Sequence, residues 1–176
     1  MNSKVIGSFL VESDQLIVGD PCYPVECGDE EESCLLTNVK RGEWAAVIFY
    51  EEDETVSRLT TYHKESSLEY EWIESDMDIM VDSAQAGIFD ASIYGRDEVI
   101  SGSLKNVYDI EMDEEGVKYY VACCDQTASG EQGGIVPGGV VSVSGWGDGC
   151  YPVFVQYNSD KEITAVSLYF FEEDEE

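Results

Sequence analysis

Positive charge is what this sequence has least of. Nine Lys and Arg stand against 38 Asp and Glu, a formal net charge of −29. Small soluble domains usually carry a magnitude of about 2 to 8. A field of that sign repels phosphate, which excludes direct binding to nucleic acid and attachment to an anionic membrane. Histidine is almost missing too: His63 stands alone, read as a surface residue at a strand end, and no nucleophile-elbow or Cys-His pattern surrounds it. No run approaches the ~18 apolar residues of a membrane span. Residues Met1 to Phe9 offer no basic start and long apolar core, so no secretory leader is read and a cytoplasmic location is expected. With four prolines, no Pro-, Ser- or Gly-rich linker and no internal repeat, one β-rich domain over 1–171 and an acidic tail over 172–176 are expected. The six cysteines, Cys22, Cys27, Cys34, Cys123, Cys124 and Cys150, match no zinc-finger spacing and are read as reduced thiols.

What the chain does contain is enough apolar material for a core, 43% of its residues. That material comes in short runs rich in Val, Ile, Tyr and Phe, separated by polar or glycine-bearing turns. The runs expected as strands are 5–11, 15–18, 44–50, 56–62, 74–81, 107–112, 117–123, 139–143, 151–157 and 162–171. The fold class is therefore all-β and mainly antiparallel, a sandwich or partly open barrel with at most one or two short helices, one of them over 91–100. Trp44 to Tyr50 is apolar on both faces and predicts a central strand. Asn158 to Lys161 has the length and chemistry of a hairpin loop between the last two strands.

Charge has a pattern within this frame. Glu74, Asp76, Asp78 and Asp82 alternate with Ser75, Met77, Ile79 and Val81, and Asp109, Glu111, Asp113 and Glu115 alternate with apolar residues in the same way. On a strand, side chains two apart share a face at ~6.6 Å spacing, so these runs predict an anionic wall. From Glu65 to Tyr94 there are eight carboxylates and no Lys or Arg. An ordinary solvated sheet face would mix signs, because like charges opposite one another destabilise the pairing. Read as a surface, the wall predicts a basic protein partner contacted through Glu74, Asp76, Asp78, Asp109, Glu111 and Asp113. A phosphate row on one strand of B-DNA repeats every ~3.4 Å, so DNA mimicry would need several such strands.

Three loops carry a second reading. Segments 19–24, 81–90 and 144–152 each set an Asp beside Gly, Pro or Ser. One account is that Asp20, Asp82 and Asp148 cap nearby N–H groups and hold turns. The other is a small-ligand or cation site built from Asp20, Tyr23, Asp82, Gln85, Trp146, Asp148 and Tyr151, with calcium as the cation that carboxylates would suit. No EF-hand loop is present.

The segments Gly19 to Tyr23, Asp82 to Asp90, Pro137 to Val141 and Gly145 to Val153 resemble an uncharacterised domain family of bacteria and their phages, over nearly the whole chain. The resemblance implies a single domain of bacterial or phage origin, expected in the cytoplasm of a bacterial host cell, and brings no catalytic residues with it. A non-enzymatic, acidic binding or inhibitory protein follows as the expectation. Its partner would be a host nucleic-acid-binding or defence protein, as in phage counter-defence.

Overall fold

The computed structural model describes residues 2–22, 33–100 and 115–171. Among them run thirteen strands and one helix: β1 (Asn2–Val11), β2 (Leu16–Gly19), β3 (Cys34–Leu36), β4 (Gly42–Tyr50), β5 (Val56–His63), β6 (Ile73–Glu74), β7 (Ile79–Val81), β8 (Gln85–Asp90), α1 (Val117–Thr127), β9 (Gly133–Val136), β10 (Gly139–Val143), β11 (Gly149–Tyr151), β12 (Val153–Tyr157) and β13 (Ile163–Tyr169). They form three antiparallel sheets. The largest has the order β1-β4-β5-β13-β12-β6, the second β3-β2-β8-β10-β9, and the third pairs β11 with β7. The arrangement is sandwich-like, with no closed barrel.

The main core lies between the two large sheets. Trp44, Ile48, Leu59, Val166 and Leu168 pack with Leu16, Val18, Ile88 and Val140, and Ile79 and Val81 of the small sheet join the same cluster. Full burial of such side chains contributes ~1.5–3 kcal/mol each. A second cluster covers the opposite face of the five-stranded sheet, where Tyr119 and Cys123 of α1 pack with Phe89, Tyr94, Val136 and Val141. Phe89, Tyr94 and Tyr119 meet there with ring centroids 4.8–5.9 Å apart. With both faces covered, every residue of β8 is buried.

Trp44 to Tyr50 is an interior strand, as its two apolar faces require, and β12 and β13 form the hairpin around residues 158–161. Five expectations change, the first being that 85–90, expected within a loop, is strand β8, buried on both faces. Residues 117–123 are helical, not extended: Gly116 opens the helix at φ +100°, and the Asp97 carboxylate accepts the backbone N–H groups of Gly116 and Tyr119, both at 3.1 Å. Cys123 and Cys124 are therefore neighbours on a helix; the first is buried and the second partly exposed. The expected helix over 91–100 is a set of turns with one 3-10 turn at Asp97–Val99. His63 is buried, not at the surface, its Nε2 2.8 Å from the Arg41 carbonyl and its Nδ1 accepting the Glu65 N–H. The run 74–81 breaks into β6, which pairs with β12, and β7, which pairs with β11. The expected strand 107–112 lies outside the described residues.

Candidate functional site

Asp20 follows the last residue of β2, where Gly19 leaves no room for a side chain: a Cβ there would stand 2.6 Å from Ser33 Oγ. The carboxylate is fully buried. Its Oδ1 accepts the Cys22 N–H at 2.8 Å and the Ser83 hydroxyl at 2.5 Å; its Oδ2 accepts the N–H groups of Asp82 at 2.8 Å and Ser83 at 2.6 Å. Among the described residues four donors and no cation meet this charge, so hydrogen bonding is what stabilises the buried carboxylate there. From the other side, Asp148 Oδ1 accepts the Ala84 N–H at 3.1 Å. Ala84 itself sits at φ +58°, and its carbonyl accepts the Ser144 N–H.

Asp20, Asp82 and Asp148 thus meet at one short loop, the β7–β8 connection. They do not share an open centre: Asp20 holds the loop's backbone from within, Asp148 holds it from outside, and the Asp82 side chain is exposed. With its oxygens already occupied by N–H and O–H donors, Asp20 is poorly placed to bind calcium. Among the described residues no group of three or more His, Cys, Asp or Glu is arranged to hold a metal ion.

The other expected ligand residues serve different places. Gln85 is buried at the start of β8 and fastens it to α1, donating to Cys124 Sγ at 3.3 Å and accepting from the Thr127 hydroxyl at 3.2 Å. Tyr151 directs its hydroxyl at the carbonyls of Gly147, 2.6 Å, and Ser144, 3.2 Å, and burial pushes its phenol up. Trp146 is 84% exposed and meets the ring of Phe171 edge-on, centroids 4.7 Å apart. Tyr23 lies outside the described residues.

Cys22, read from the sequence only as a reduced thiol, and Tyr120 and Asp90 were not among the expected site residues. Cys22 stands beside Asp20, and burial, then the Asp20 charge, push its thiol up to about 12. Burial and the neighbouring Cys124 likewise push the Tyr120 phenol up to about 12. Neither group is a ready nucleophile or base near neutral pH. Asp90, at the opposite end of the β2–β8 pair, repeats the Asp20 device: its carboxylate accepts from Ser13, Glu12 and Ser92. Burial alone would raise its pKa, yet these hydrogen bonds outweigh it and hold the carboxyl below its ordinary value. The local signal was Asp90-Ala91-Ser92, an Asx-turn spacing.

The acidic run is exposed in the alternation expected of it, although it is not one strand. Glu74, Asp76 and Asp78 are exposed, while Ser75, Met77, Ile79 and Val81 turn inward. Glu74 lies on the outer face of the six-stranded sheet, opposite Phe154. Among the described residues the ion pairs are Lys64–Glu43 at 3.0 Å and Arg96–Glu98 at 3.5 Å, and neither involves these carboxylates. Interleaved with them, Leu68, Tyr70, Ile73 and Met80 are exposed as well. Asp109, Glu111 and Asp113 lie outside the described residues.

Fold and site together define an antiparallel β protein of sandwich type whose loops are tied by buried aspartates. Residues 77–168, more than half of the chain, match the family described as Protein of unknown function (DUF4241), and the chain belongs to that family. The match is shorter than the near-complete resemblance expected, and the Gly19 to Tyr23 segment falls outside it. Comparison with curated proteins and with solved structures gives no match. No helix among the described residues is long and apolar enough to cross a membrane.

Proposed function

We propose that this protein works by binding a basic protein surface through residues 68–82. The observation that carries the reading is the mixture on that strip: carboxylates at Glu69, Glu71, Glu74, Asp76 and Asp78, none of them in an ion pair among the described residues, set among exposed Leu68, Tyr70, Ile73 and Met80 along the run that contributes β6 to the edge of the largest sheet and β7 to the smallest. The exposed apolar side chains add contact area that carboxylates alone would not supply. Interfaces combine apolar anchors with a complementary charged rim, which speeds encounter and fixes orientation. In a bacterium or phage, the fitting partner is a nucleic-acid-binding or defence protein, whose basic surface is already shaped for anions.

The test compares three proteins. One is wild type, one carries Glu69→Gln, Glu71→Gln, Glu74→Gln, Asp76→Asn and Asp78→Asn, and one carries five equivalent neutralisations at Glu12, Glu51, Glu52, Glu54 and Asp160. Proteins retained from bacterial lysate at low salt are identified, purified and titrated against all three. The strip variant should lose the interaction and the control, of equal net charge, should keep it, with affinity falling as salt rises. Equal loss in both variants would reduce the effect to bulk charge and overturn the reading.

A further inference from the structure

We infer that Trp146 is the anchor of the binding surface and receives an arginine side chain of the basic partner, with Asp148 as the carboxylate that orients it. This rests on the reading that the partner is basic, but on different residues.

The loop from Ser144 to Tyr151 is built to be rigid. The Gly147 N–H donates to the Ser144 carbonyl at 3.0 Å, the Ser144 hydroxyl to the Gly147 carbonyl at 2.9 Å, and the Tyr151 hydroxyl to that same carbonyl at 2.6 Å. Gly145 at φ +60° and Gly147 at φ +118° take conformations that side-chain-bearing residues rarely adopt. Asp148 clamps the loop to Ala84. All this order holds an indole 84% in solvent. A tight turn needs no tryptophan, and an exposed ring on a fixed frame loses little entropy when a partner covers it, which is why Trp dominates interface energetics.

The chemistry of the occupant follows from charge. The face of an indole attracts cations, best of all an arginine guanidinium, which stacks flat and offers its edge donors to a carboxylate. Asp148 has one oxygen fixed by Ala84 and stands two residues from the ring, and exposed Asp82 belongs to the adjoining loop. Among the described residues no cation of the chain stacks on this ring: no Lys or Arg occurs in sequence between Lys118 and Lys161, and the cation–π contacts are those of Arg58 with Phe49 and Tyr169.

The probes are a hexapeptide of alternating arginine and serine and its counterpart with glutamine for arginine. Each is titrated into the full-length protein by calorimetry and by tryptophan emission. The arginine peptide should bind and change the emission, and the glutamine peptide should not. Trp146→Ala should weaken binding about three- to thirtyfold, Trp146→Phe should restore part of it, and Asp148→Asn, which keeps the oxygen that Ala84 needs, should weaken it too. Equal affinity for wild type and Trp146→Ala would overturn the inference, as would equal binding of both peptides. If the strip variant above loses the peptide while Trp146→Ala keeps it, the basic-partner reading survives without this anchor. Self-association of wild type that Trp146→Ala abolishes, read by sedimentation, would make a second copy the occupant and would likewise overturn it.

Discussion

Replacing Asp20 by alanine removes one side chain and leaves four donors without their acceptor: the N–H groups of Cys22, Asp82 and Ser83, and the Ser83 hydroxyl. Each buried donor stripped of its partner costs ~1–3 kcal/mol, and bonds to a charged acceptor sit at the upper end. Asp82 borders solvent and the Ser83 hydroxyl can turn, so about two of the four carry the full penalty, a loss of ~3–5 kcal/mol. That is a large part of a total stability of ~5–15 kcal/mol. Asp20→Asn should be only partly better, because its amide presents donors to donors on one side. Asp82→Asn alters only an exposed side chain and should stay within ~0.5 kcal/mol of wild type. Urea unfolding followed by the fluorescence of buried Trp44 checks this; urea is preferred because guanidinium would also screen the charge of −29. At a slope of ~2 kcal/mol/M, the Asp20→Ala midpoint should fall by ~1.5–2.5 M. A shift below ~0.5 M, or one matched by Asp82→Asn, would refute the view that this carboxylate is held by, and holds, the β7–β8 loop.

Asp90 makes a prediction about acid. Its folded pKa is depressed, so its contribution is fully present above the unfolded value of ~3.9 and is lost as pH falls through the folded one; Asp90→Asn should flatten that limb of a melting-temperature profile taken from about pH 6 to about pH 2. A variant profile parallel to wild type at the acid end would contradict this. Self-repulsion at net charge −29, with two ion pairs among the described residues, means that salt should stabilise the fold. Raising ionic strength from about 0.01 M to about 1 M shortens the screening length from ~30 to ~3 Å, and the melting temperature should rise; a fall would show ion pairing to outweigh repulsion. A thiol-disulfide reagent near neutral pH should modify exposed Cys150 at once, and buried Cys34 and Cys123 only on unfolding. Cys22 should react slowly despite its partial exposure, since its thiol is pushed up to about 12. Mass mapping that finds Cys22 labelled as fast as Cys150 would count against that raised pKa.

Period-two texture was readable wherever one face of a strand is buried or a whole strand is apolar, which is why β4, β5, β10 and the β12–β13 hairpin stand close to where the residues put them. The same texture misled at α1. Tyr119, Val121 and Cys123 are the buried positions of that helix, an alternation that mimics a strand. Two residues advance a helix by about 200°, so Val121 is buried on a different side from Tyr119 and Cys123. The opposite error fell on 85–90, where Asp, Ser and Gly suggested a loop; β8 is buried on both faces, so no alternation marks it. At the site, residue type suggested that Asp20 caps a nearby N–H, as it does with Cys22, but not its distant partners, because backbone N–H groups 62 and 63 residues away leave no mark in the sequence near Asp20.

Composition and short-range pattern were enough to settle an antiparallel β class and an overwhelming negative charge, since both depend on which residues are present and on their nearest neighbours. Only the tertiary structure decided which aspartates are swallowed as internal acceptors and which remain at the surface. A carboxylate's role depends on whether the folded chain brings donors to it, and Asp20 and Asp82, alike in sequence, end on opposite sides of that division.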